Sequence, residues 1–168
     1  TGDSVLTEFA APVLALYAMG NGILAIAAFP YYLQYAKGNL KLHLIGNFIF
    51  LVLLVPTIVW ASKSYGVLGA GWTWLGMNAL TFVGWLPLVH RKFAPGLNVH
   101  WYTVDTLVLL LPAAAAGLVA SQLIPDDITR IMHLVATAGV GLVVVGVAGA
   151  IHFMIKLRAG EAILYWGD

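Results

Sequence analysis

From Phe9 to Ala36 the chain carries no charged residue, and that run constrains the fold more than any other feature. At about 1.5 Å per helical residue it is long enough to cross the roughly 30 Å hydrocarbon core of a bilayer. Four further apolar stretches follow, at 43–61, 67–89, 101–123 and 128–155. Lipid offers backbone amides no partner, so segments of this kind must be helices or the strands of a closed barrel. The alternating pattern of a transmembrane barrel does not occur in the sequence. The expectation is therefore all-α: a polytopic bundle of about five transmembrane helices at 9–36, 43–61, 67–89, 101–123 and 128–155, forming a single membrane domain over residues 1–168.

Composition agrees. Of 168 residues, 61% are hydrophobic and 9% charged, against about a quarter charged in soluble domains. A net charge of +1 without a basic cluster gives no case for a nucleic-acid partner. The absence of cysteine excludes disulfides, thiolate metal sites and cysteine nucleophiles.

The polar residues between the runs set boundaries. Lys37-Gly38-Asn39 closes the first helix, Ser62-Lys63-Ser64-Tyr65-Gly66 the second, and His90-Arg91-Lys92 the third. A Pro/Gly loop runs from Phe93 to Asn98, Trp101 and Tyr102 open the fourth helix, and Asp126 or Asp127 suits the N-cap of the fifth. If successive loops alternate sides, one face holds Lys37, Lys41, Arg91, Lys92, Lys156 and Arg158, and the other only Lys63 and Arg130. The positive-inside rule then places the first face, and the C-terminus, in the cytoplasm. The N-terminus falls outside, yet Thr1-Gly2-Asp3-Ser4 has neither an initiator Met nor the basic start of a secretory signal. An odd number of helices ahead of Thr1 would make that topology ordinary, so further N-terminal helices are expected partners.

Polar groups within the spans are the candidates for function, since burying them is costly unless they pair or face water. Tyr17 and Asn21 lie one turn apart on the first helix, with Gln34 nearer its cytoplasmic end. Asn47 follows on the second helix, Thr73 and Asn78 on the third, and Asp105 early in the fourth. Asn and Gln often tie helices together, and each brings both donors and acceptors. Pro30, Pro56 and Pro112 can bend their helices, and the small residues Ala18–Gly22, Ala113–Gly117 and Gly146–Ala150 suit close helix packing. His43, His90, His100 and His152 fall near one face and His133 near the other; a facing pair could ligate haem axially. No GxSxG, HExxH, P-loop or GxGxxG element is present. No enzymatic activity, metal site or resident cofactor is expected on the leading reading.

One stretch is more specific. Pro30-Tyr31-Tyr32-Leu33-Gln34-Tyr35-Ala36-Lys37-Gly38-Asn39-Leu40-Lys41-Leu42 resembles the "LQxAxGxxKL" junction of the polysaccharide-export family, the O-antigen and lipid-linked-oligosaccharide flippases of the MATE-like superfamily. Pro56 and then Tyr65-Gly66-Val67-Leu68-Gly69-Ala70 are similar to the proline-bearing helix ending in "YGxxGA" that comes next in those proteins. The resemblance follows the chain in order, with specific residues between about Pro30 and Trp74. It implies most of the second lobe of a two-lobed flippase in the bacterial cytoplasmic (inner) membrane, passing an isoprenoid-pyrophosphate-linked oligosaccharide outward for cell-surface polysaccharide synthesis. Membrane lipid and the lipid-linked oligosaccharide are the implied partners. Tyr17, Asn21, Gln34 and Asn78 are the candidate substrate-binding residues, because aromatics and amides suit sugar hydroxyls. No Lys or Arg lies deep in a span, so the pyrophosphate would be held by the missing helices. A lipid II flippase or another MATE-like exporter, a small haem-binding redox protein and a structural subunit remain the alternatives.

Overall fold

The computed structural model describes residues 2–124 and 129–165 and is all-α over its regular elements. The helices are α1 (Gly2–Ile26), α2 (Ala28–Ala36), α3 (Lys41–Leu80), α4 (Leu86–Phe93), α5 (Leu97–His100), α6 (Val108–Gln122) and α7 (Arg130–Tyr165). Wider π-helical turns at Thr81–Trp85 and Trp101–Leu107 join α3 to α4 and α5 to α6. Among the described residues, four helical segments are long and apolar enough to cross a membrane: Glu8–Ala36, Lys41–Phe93, Leu97–Val119 and Ile131–Ile155. The expected N-cap at Asp126 or Asp127, and the start of the fifth helix at Ile128, lie outside the described residues.

The first segment ends where the sequence predicts. Gly38 has φ 63°, the left-handed conformation a glycine adopts without strain. Its N–H bonds Tyr35 O at 2.9 Å, and the Asn39 N–H bonds Gln34 O at 3.1 Å. That pair of reversed bonds is a Schellman cap, which satisfies carbonyls the helix end would otherwise leave open.

The second segment differs from expectation in form. Helical bonding runs from Lys41 to Phe93, a length of about 80 Å if straight. It is not straight. Gly66, at φ 65° and ψ −154°, leaves helical geometry and turns the chain back on itself. Three contacts show the limbs 41–65 and 67–93 running antiparallel. A Cβ on Gly69 would meet the Ala61 backbone carbonyl, Phe50 and Trp74 rings lie 6.2 Å apart edge to face, and a Cβ on Gly46 would sit 2.5 Å from Trp85 Nε1. The stretches read as two helices, 43–61 and 67–89, are thus the limbs of one hairpin with Gly66 at its tip.

Contacts divide the chain into two units, Thr1–Asn98 and Val99–Asp168. In the first, α1 packs along α3, and α2 packs on α4. Lys37 and Lys41 therefore share one end with Arg91 and Lys92, while Lys63 lies by the hairpin tip. The loop before α5 is shorter than the sequence suggests. Gly96, at φ 86°, makes a tight turn and the helix resumes at Leu97 rather than Trp101. In the second unit α6 packs on α7, where a Cβ on Gly117 would lie 3.4 Å from Val144.

Polarity is distributed as a hydrocarbon solvent would favour. Leu80 is 68% exposed and Leu142 74%, while Gln34, Thr73 and Asn78 are buried. Gly22 and Gly146 have open space around them, so the small pairs Ala18–Gly22 and Gly146–Ala150 do not mark close contacts here. Close approach occurs instead at Gly20, Gly46, Gly69 and Gly71, each against a partner too near to admit a Cβ without movement.

Candidate functional site

The first unit encloses a cavity of about 340 Å³ between α2, the two hairpin limbs and α4. Each element contributes for a local reason. Pro30 has no N–H for the preceding turn, and helix geometry lapses at Ala27, so α2 follows α1 with a break that opens beside the cavity. Gln34 sits one turn beyond Pro30 and donates its Nε2–H to Pro30 O at 3.1 Å. Its Oε1 is buried and has no hydrogen-bond partner among the described residues.

The facing wall comes from the hairpin. On the first limb, Asn47 Nδ2 donates to His43 Nε2 at 3.0 Å. The Tyr31 ring, from α2, lies 4.6 Å from the His43 ring. On the second limb Asn78 Nδ2 bonds Trp74 O at 2.8 Å, and Thr81 Oγ1 bonds Met77 O at 2.9 Å. Thr81 begins the π-helical turn that ends at Trp85, and both residues line the cavity. A wide turn of this kind is a local departure from α geometry that often falls at functional sites. Gly46, lacking a side chain, lets the Trp85 indole lie against the opposite limb.

Of the four residues singled out by sequence, Gln34 and Asn78 line this cavity. Tyr17 stacks on Trp74 from outside, with ring centroids 6.1 Å apart and planes at 26°. Gly20, one turn further, admits the Trp74 indole edge, whose Nε1 is buried there without a hydrogen-bond partner among the described residues. Tyr17 and Gly20 thus hold Trp74 in place rather than face the cavity. Asn21 is exposed and lines no part of it. Sequence reasoning left out Tyr31, Phe50, Trp74, Thr81 and Trp85 as site residues, and named Asn47 only as a polar group within a span and His43 only as a possible haem ligand. His43 and Asn47 are spaced one helical turn apart, which is the signal that pairs them. Nothing in the sequence says that residues 46 and 85 meet.

None of the residues lining the cavity is Lys, Arg, Asp or Glu, and apolar groups from Leu24, Ala28, Phe50, Leu86 and Val89 make up most of the rest. Three amides, Gln34, Asn47 and Asn78, each commit an N–H to the protein. Elsewhere in the first unit, His90 Nδ1 is hydrogen-bonded to Asn98 Oδ1 at 2.9 Å, fastening the loop that contains Gly96. Among the described residues no three of His, Asp and Glu gather as a metal-ion site. A second concavity lies by the hairpin tip, walled by Trp60, Tyr65 and Trp72, with Trp60 and Tyr65 rings 5.9 Å apart. Aromatic residues at a helix end of this kind suit a membrane interface.

In comparisons with known proteins, no family model, curated protein or solved structure matches the chain.

Proposed function

We propose that the chain is part of a multi-pass transporter of the bacterial cytoplasmic membrane, moving an isoprenoid-pyrophosphate-linked oligosaccharide across the bilayer for cell-surface polysaccharide synthesis. The observation that carries this reading is the cavity between α2 and the hairpin, walled by amides and aromatic rings inside an apolar bundle. Amide groups set among aromatic faces provide hydrogen bonds and C–H contacts for sugars, and a wall without Lys, Arg, Asp or Glu fits a role in holding the glycan. The resemblance of 30–42 and 65–70 to the polysaccharide-export family adds to it.

With the Gly66 hairpin counted as two crossings, the chain spans five times. The end bearing Lys37, Lys41, Arg91 and Lys92 is cytoplasmic, as is the C-terminus, in keeping with the positive-inside rule. The five helices supply most of one lobe, the MATE-like second lobe. The other lobe supplies the cations that offset the pyrophosphate. Transport is by alternating access and involves no covalent chemistry.

Deleting the gene tests this. The expected result is loss of the surface polysaccharide with accumulation of its lipid-linked precursor on the cytoplasmic side, both reversed by the intact gene. Normal surface glycan and no precursor accumulation would refute the proposal.

A further inference from the structure

We infer that the cavity between α2 and the hairpin is a subsite for one uncharged, hydroxyl-bearing ring, with Gln34 Oε1 as the acceptor that reads a ligand hydroxyl. The identity of the natural ligand rests on the transport reading above; the chemistry of the subsite rests on the cavity itself.

Size comes first. A volume of about 340 Å³ lies at the small end of the roughly 300–1,000 Å³ typical of ligand pockets. It accepts a single ring. Charge comes next. The wall offers no Lys or Arg to pair with an anion. A phosphate moved into this cavity would lose its water and gain no counter-ion, a large penalty for an anion.

The hydrogen-bonding groups narrow the class further. Gln34 has its amide orientation fixed chemically, because only the NH2 end can donate to Pro30 O. The carbonyl end is therefore the one without a partner, on a side chain only 2% exposed. A buried acceptor of this kind is costly until a donor reaches it. Asn78 is tied in the same sense, its NH2 to Trp74 O, which leaves its carbonyl oxygen at the other end. A cavity that offers carbonyl oxygens favours a ligand rich in donors. Hydroxyls satisfy it. The rings of Tyr31, Phe50 and Trp85 supply apolar surface for the C–H face of the same ring.

The test uses the full-length protein in lipid nanodiscs, which avoids sugar detergents. Methyl β-D-glucopyranoside is the neutral probe and inorganic pyrophosphate the charged one, with tryptophan emission as the readout. A saturable response to the glycoside, with no displacement by pyrophosphate, is the expected result. Gln34→Met keeps the side-chain length, removes the acceptor and should weaken the glycoside about tenfold. Ala28→Leu, which fills the cavity from the start of α2, should weaken it at least as much, and Leu142→Ala should leave it unchanged. A melting curve for each variant separates lost binding from lost folding. The inference is overturned if the parent protein gives no saturable response, if pyrophosphate displaces the glycoside, or if folded Gln34→Met and Ala28→Leu both bind like the parent. The deletion phenotype separates the two proposals. Precursor accumulation without glycoside binding removes the subsite and keeps the transporter; glycoside binding without a surface-glycan defect does the reverse.

Discussion

Replacing Gly69 by alanine perturbs the contact that closes the hairpin. The new Cβ would run into the Ala61 carbonyl oxygen and lie 2.8 Å from its carbonyl carbon. Both obstacles are backbone, so relief requires the two limbs to separate rather than a side chain to rotate. Overpacking of this type costs about 1–3 kcal/mol, and a backbone-on-backbone clash belongs at the upper end. Alanine recovers about 1 kcal/mol through its better helix propensity. The net loss is then about 2 kcal/mol, which lowers Tm by roughly 4–8 °C for a chain of this size. Gly76→Ala is the matched control, because a Cβ there meets nothing within 4 Å and only the propensity gain remains. It should melt about 2–4 °C above the parent. Thermal unfolding of the purified full-length protein, followed by circular dichroism in one detergent, measures both. If Gly69→Ala melts with or above Gly76→Ala, the limbs are not in contact at Ala61 and the hairpin geometry is wrong.

Other expectations concern the same unit. Gly66→Ala forces a side chain into a backbone region that is essentially glycine-only, so stability should fall by about 1–3 kcal/mol; an unchanged Tm would mean the turn lies elsewhere. Gly46→Val should push the Trp85 indole off the first limb and shift tryptophan emission; an unshifted spectrum would argue against that contact. Lys41→Cys and Lys63→Cys, introduced singly into a cysteine-free background, should label from opposite sides of the membrane with an impermeant maleimide. Labelling of both from one side would contradict two crossings within 41–93.

How much of this was legible in the sequence follows from how local each signal is. Uncharged runs and the Lys37-Gly38-Asn39 stop are read from neighbours in the chain, and the helix ending at Ala36 with its glycine cap lies where they indicate. Gln34 was visible as a polar residue one turn from Pro30 in an apolar run. Tertiary meetings leave no such trace. Asn21 and Asn47 look alike as isolated amides and both are exposed, yet only Asn47 lines the cavity, because folding at Gly66 brings residue 47 toward residue 78. The continuity of bonding from Lys41 to Phe93 was also hidden, since Ser62 to Gly66 reads as a loop but holds helical turns up to the glycine. The π-helical turn at Thr81–Trp85 has no glycine or proline signature beyond Gly84, and nothing local shows that its last residue, Trp85, packs against Gly46.

The side-chain hydrogen bonds of Gln34, Thr57, Thr73, Asn78 and Thr81 all run back to a carbonyl four residues earlier on the same helix. Such a bond forms as soon as its helix does, before any neighbour arrives. Each span can therefore enter the bilayer with one donor of each of these polar groups already satisfied. What then holds the pieces together in the first unit is largely shape, glycine against indole and glycine against carbonyl. Shape contacts can be remade after a small slide, whereas a cross-linking hydrogen bond would have to be broken first in a solvent that offers no replacement. The polar chemistry of the bundle is in this way kept off its slip planes.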